Sequence, residues 1–135
     1  MTQSKLPRQT KFSSVRIVTR DVVALARFYE QITGIIATGN EHYVELETIP
    51  SRIAICSEGA INTFNAGAAK ARANYSMIID FEVNDVDRER SRLDTVVGSF
   101  VMEPTNQPWG NRSMLLRDPD GNLINFFTSG PSKSA

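Results

Sequence analysis

The chain of 135 residues holds one histidine, His42, and one cysteine, Cys56. Imidazole and thiolate are the usual ligands of zinc and the softer transition metals, so no His/Cys metal cluster can form within one chain. A single cysteine also excludes a disulfide framework, and the expected setting is a reducing, cytoplasmic one. Carboxylates are plentiful, but Glu41, Glu45 and Glu47 read as the charged edge of a strand. No Ser/His/Asp order marks a nucleophile, and no glycine-rich loop follows a strand to cradle phosphate. Trp109, the only tryptophan, sits between Pro108 and Gly110 in polar surroundings. Such a ring serves either as a hydrophobic lid or as a stacking surface for a planar ligand.

The elements that must position these residues are legible from periodicity. Ser13 to Thr19 alternates as a strand. Asp21 is placed to cap a helix whose apolar stripe is Val22, Leu25, Ala26, Tyr29 and Ile32, with Gly34 as its stop. Short strands are expected at 35–38, 42–47 and 52–57. A connector rich in Ala, Gly and Asn follows, with one helical turn expected at 66–72. The order then recurs: a strand at 77–83, a helix capped by Asp85 and stopped by Gly98, and strands at 100–103, 112–117 and 122–128. The last two are joined by Asp118-Pro-Asp-Gly121, where Pro fixes φ and Gly supplies positive φ.

The recurrence is metrical. Asp21-Val22 and Asp85-Val86 lie 64 apart, as do Gly34 and Gly98, and the offset grows to 70 at the final hairpin. Two tandem βαβββ units are the simplest reading of this order, an α+β chain. The expected organisation is an arm at 1–11, modules at 12–58 and 76–129, a linker at 59–75 and a tail at 130–135.

With its Asp21-Val-Val-Ala-Leu-Ala-Arg-Phe-Tyr29 helix, its Phe81-Glu-Val-Asn-Asp-Val86 segment, and Gln107-Pro-Trp-Gly-Asn-Arg112 leading into Arg117-Asp-Pro-Asp-Gly-Asn-Leu-Ile124, the chain resembles the glyoxalase, bleomycin-resistance protein and extradiol dioxygenase superfamily. The closer likeness is to its metal-free, bleomycin-resistance-like members. The resemblance implies an α+β fold of curled mixed sheets around a cleft, with helices on the outer face, and that pairs of chains share such clefts. It also implies four metal-ligand positions on inward strand faces, which fall here at Ser14, Ile55, Ile78 and Asn125. None of these is a usual transition-metal ligand, and a slip of one residue brings none in. No cofactor is therefore expected.

Strand alternation sends Arg16 and Asp80 the same way as Ser14 and Ile78, at equivalent places in the two modules, where they could form an ion pair or anchor a polar ligand. If the 118–121 turn closes a simple hairpin, Arg117 pairs with Asn122, and Arg112 and Met114 share a face with Asn125 and Phe127. The resulting pocket is apolar with a few polar fixed points, which suits an organic ligand of moderate size. The resemblance further implies that Trp109 and Arg112 lie near that ligand.

Fifteen basic and fifteen acidic side chains balance, which argues against a nucleic-acid binder, and no apolar run approaches the length of a membrane span. The expected function is metal-free sequestration of a small organic molecule, aromatic or antibiotic-like, by a homodimer. The alternative is a glyoxalase-, isomerase- or dioxygenase-type enzyme with a non-standard site, and catalysis is not the favoured reading.

Overall fold

The computed structural model describes residues 10–130. Most of the expected arm and tail therefore lies outside the described residues. The first module runs β1 (Ser14–Thr19), α1 (Val22–Thr33), β2 (Thr38–Gly39), β3 (Tyr43–Glu47) and β4 (Arg52–Ser57). After α2 (Glu58–Asn65) the second module runs β5 (Ile78–Glu82), α3 (Val86–Arg92), β6 (Met102–Asn106), β7 (Arg112–Arg117) and β8 (Leu123–Thr128). Each module forms a four-stranded mixed sheet, in the orders β1-β4-β3-β2 and β5-β8-β7-β6. The fold is α+β, built of two βαβββ-like modules.

Both module helices start as their sequences dictate. The Asp21 carboxylate accepts from the Ala24 amide at 3.0 Å, and the Asp85 carboxylate from the Arg88 amide at 3.1 Å. Each satisfies an amide that the first helical turn leaves without a partner. Gly34, at φ 75°, ends α1 in the left-handed conformation that suits glycine, and its amide reaches the Glu30 carbonyl. The buried stripe of α1 is Val22, Leu25, Ala26, Tyr29 and Ile32.

The strand expected at 100–103 lies instead at Met102–Asn106, and α3 ends at Arg92, short of Gly98. Two further segments differ from expectation for local reasons. The helix of the connector lies at Glu58–Asn65 rather than 66–72, because Ser57 caps it through a 3.0 Å bond from the Ala60 amide. Beyond it, Gly67 and Arg72 both have positive φ, which no helix accommodates. The strand expected at 35–38 shrinks to Thr38–Gly39. Upstream of it the Ile35 amide bonds Thr33 Oγ1 and the Ala37 amide bonds the Glu30 carboxylate, so those donors serve the end of α1 instead of a sheet.

One core joins the modules. Ile17, Leu25, Tyr29, Ile32 and Ile55 of the first pack in a single buried cluster with Val86, Leu93, Met114, Ile124 and Phe126 of the second. Two polar contacts lock the join. Tyr29 donates its hydroxyl to Asp118, and Arg92 donates to the carbonyls of Gln31 and Ile32, both at 2.8 Å. A cation at those carbonyls also meets the negative end of the α1 dipole.

Candidate functional site

Strand pairing decides which side chains share a face, because directly paired residues point the same way. In the first sheet Ser14, Arg16 and Val18 pair with Arg52, Ala54 and Cys56, and these with Glu47, Glu45 and Tyr43. In the second sheet Ile78, Asp80 and Glu82 pair with Leu123, Asn125 and Phe127, while Leu115 pairs with Asn125 and Ser113 with Phe127. None of these residues belongs to the shared core cluster. They form the open face of each sheet, opposite the face that its helix covers, although Ala54, Cys56 and Ser113 on it are themselves buried.

Six of the residues singled out from sequence lie on the open faces: Ser14, Arg16, Ile78, Asp80, Asn125 and Phe127. Three do not. Ile55 pairs with Ile17 and Val44 on the core face and is fully buried. Met114 pairs with Phe126, also in the core. Arg112 pairs with Thr128 and grips Asp87 of α3 through bonds of 2.8 and 2.9 Å.

All three corrections arise from a shift of one residue. The Asp118 carboxylate accepts from the amides of Asp120 and Asn122, both at 2.9 Å, and so holds residues 118–122 as a longer loop. Arg117 therefore pairs with Leu123 rather than Asn122, and every β7 side chain changes face relative to β8. The same shift makes the offset between Arg52 and Leu123 71 rather than 70, so the counterpart of Asn125 is Ala54, not Ile55.

The anticipated pair of Arg16 and Asp80 does not form within the chain. Asp80 accepts from the Asn125 amide at 2.9 Å, and Arg16 has no hydrogen-bond or ion-pair partner among the described residues. Trp109 stands in the turn between β6 and β7 with 62% of its surface exposed.

Sequence reasoning missed Tyr43, Ala54 and Cys56, although the alternation Tyr43-x-Glu45-x-Glu47 pointed to a common face. The Tyr43 hydroxyl donates to Glu45 at 2.7 Å, and this bond leads in raising its pKa. Burial pushes the Cys56 thiol up, so it is protonated and a poor nucleophile at neutral pH. Arg52 is held by Glu47 and Glu45.

The four metal-ligand positions that the resemblance implies become Ser14, Ala54, Ile78 and Asn125. Ala54 and Ile78 have no donor atom, and the neutral oxygens of Ser14 and Asn125 are weak ligands for a transition metal. Among the described residues no group of three or more His, Cys, Asp or Glu comes together where a metal ion could sit. The residues present do not fit a metal centre.

A separate hollow of about 230 Å3 opens on the helix-bearing side of the second sheet, between Asp85, Asp87, Asn106, Arg112 and Gly130. Its cation is already engaged by Asp87 and by Asn106 Oδ1. No helix among the described residues is long and apolar enough to cross a membrane.

Comparison with known proteins bears on the fold. Among curated proteins none matches the chain. A glyoxalase/bleomycin resistance protein/dioxygenase family enzyme from Burkholderia phytofirmans PsJN superposes with a TM-score of 0.75 at 22% identity, covering 86% of this chain and 96% of its own. A glyoxalase-related enzyme from Fulvimarina pelagi gives 0.75 at 19%, covering 88% of each chain. A protein of unknown function from Agrobacterium tumefaciens str. C58 gives 0.76 at 23%, covering 90% of this chain and 96% of its own. Residues 11–126 match the model of one sequence family, and the chain belongs to the glyoxalase/bleomycin resistance protein/dioxygenase superfamily.

Proposed function

We propose that the protein binds a small organic molecule against its open sheet faces without a metal and without changing it covalently, as the bleomycin-resistance-like members of the superfamily do. The observation that carries this reading is the set Ser14, Ala54, Ile78 and Asn125, where the family's metal chemistry would need carboxylates or imidazoles. Fold alone does not license an activity, so the enzyme names carried by similar structures do not decide the matter. The open face of the second sheet offers Ile78, Leu115, Leu123 and Phe127 around the Asp80–Asn125 pair. That is an apolar surface with one polar fixed point, suited to a flat or aromatic ligand.

The test has two arms. Elemental analysis of protein purified without chelator should find negligible Fe, Zn, Ni or Mn, and adding these ions should leave the melting temperature unchanged. A library of aromatic metabolites and antibiotics, screened by thermal shift and isothermal titration, should yield saturable binding that Phe127→Ala and Asn125→Ala weaken. Stoichiometric metal uptake with turnover would overturn the reading in favour of a metalloenzyme.

A further inference from the structure

The hollow of about 230 Å3 on the helix-bearing side of the second sheet lies where the end of β6, the start of β7 and the end of β8 come beside α3. Val86 is the only apolar side chain that lines it. Its polar groups are held in place by bonds that use only part of their capacity. Arg112 donates from Nε and one terminal nitrogen to Asp87, and from the other to Asn106 Oδ1 at 3.1 Å. Three of the five guanidinium N–H groups are thereby engaged, and two stay open. Asp85 caps α3 through one carboxylate oxygen and keeps the other open. The Thr128 hydroxyl accepts from the Val86 amide at 2.9 Å, which leaves its own proton to give. Asn106 keeps its amide donors, and the Asn84 side chain makes no hydrogen bond among the described residues.

These groups select a class of occupant. An anion would displace Asp87 from Arg112 and meet Asp85 as well, and a cation would face Arg112. An apolar molecule would leave the open donors and acceptors without partners. A hydroxyl group gives one proton and accepts others, so it satisfies donors and acceptors that stand side by side. The volume lies below the roughly 300 Å3 at which sites for drug-sized ligands begin, so the occupant is small. We propose that this hollow binds a small neutral polyol, of the class of a monosaccharide or a cyclitol. Neighbouring hydroxyl oxygens accept from the open N–H groups of Arg112, and their protons go to the carboxylates of Asp85 and Asp87. Hydrogen bonds to ionised groups are the stronger kind, and here they run in both directions. The site lies across the sheet from the open face and does not rest on the reading given for that face.

Titration of the isotope-labelled intact protein with D-glucose, D-galactose and myo-inositol into the high millimolar range, followed by amide NMR shifts, tests it. At least one of the three should saturably shift the amides of Gly110, Thr128 and Gly130 and the side-chain amide of Asn106. Cyclohexanol, cyclohexylamine and cyclohexanecarboxylate, which keep a ring but not its hydroxyl array, should leave them unmoved. Asn84→Ala removes an exposed side chain with no partner to lose, so the melting temperature should hold. Polyol binding should weaken about threefold to tenfold, the effect of one hydrogen bond. Arg112→Lys keeps a cation opposite Asp87 without the planar fork and should weaken binding by about tenfold or more. The amide spectrum reports whether that variant is folded, and Asn84→Ala carries the test if it is not. No saturable shift with any of the three polyols, equal shifts with a control compound, or undiminished binding in Asn84→Ala would each overturn the proposal. Binding at the open face is read at Asn125 and Phe127 instead, so either reading can fail alone.

Discussion

The hydroxyl of Tyr29 donates to Asp118 Oδ2 at 2.7 Å, and the bond ties the helix of the first module to the hairpin loop of the second. Burial, reinforced by the two nearby aspartates, drives the phenol's pKa far above its ordinary value. At neutral pH the group is a protonated donor. The same Asp118 carboxylate also accepts from Asn122 Nδ2 and from the amides of Asp120 and Asn122. One buried carboxylate thus sets the β7–β8 register and fastens the modules.

Tyr29→Phe should therefore cost about 1–3 kcal/mol, the usual effect of leaving a buried acceptor short of one donor. Asp118→Ala, which strips the loop of all four bonds, should cost more. Urea unfolding at neutral pH measures both, and a Tyr29→Phe protein as stable as the wild type would show that the clasp contributes nothing.

Acid should destabilise the protein through its surface carboxylates. Asp87 is held below its ordinary pKa by its hydrogen bonds from Arg112, Glu103 by those from Arg90, and Glu58 first by the Ala71 amide and then by Arg20. A carboxyl group with a depressed folded-state pKa contributes stability that is complete above the ordinary carboxylate range and is lost as pH falls below it. Unfolding free energy measured at descending pH should fall there. It should fall less steeply in Asp87→Asn, which has no proton to gain at that site.

Cys56 should react slowly with thiol reagents in the native state, since it is 3% exposed and burial raises its pKa. Release of thionitrobenzoate from an aromatic disulfide should be much faster in denaturant. Cys56→Ser should remain folded but become less stable, because a hydroxyl beside Ala54 gains no partner evident on that strand.

Two glycines should respond differently to the same substitution. A Cβ on Gly130 would run into the Gly110 carbonyl, where the chain leaving β8 crosses the turn between β6 and β7, whereas one on Gly98 would meet nothing. Gly130→Ala should lower the melting temperature by several degrees, and Gly98→Ala should leave it nearly unchanged. Calorimetry of the two variants side by side would decide it.

How much of this was legible in the sequence depended on what carried the signal. The stripe of α1, its Asp21 cap and Gly34 stop came through intact, because a 3.6-residue period and local capping chemistry are written within a dozen residues. Strands β4 and β7 were found with their observed bounds. Their faces were not, because the loop at Asp118 holds one residue more than a tight hairpin, and the extra residue follows from hydrogen bonds to a single carboxylate. Arg112 and Met114 left the candidate site for that reason, and Ala54 replaced Ile55. The missing pair between Arg16 and Asp80 was beyond any reading of strands alone, since it turned on which faces the two modules use to meet.

The clasp between Tyr29 and Asp118 has no twin. At the repeat's offsets, the counterpart of Tyr29 is Leu93, fully buried and without a hydroxyl, and the first module's β3–β4 turn closes with Thr48 bonding the Ser51 carbonyl within itself. Two copies of the first half joined in tandem would have the donor without its acceptor, and two copies of the second would have the acceptor without its donor. The halves of this duplicated fold have become complementary parts with a fixed order, and neither can stand in for the other.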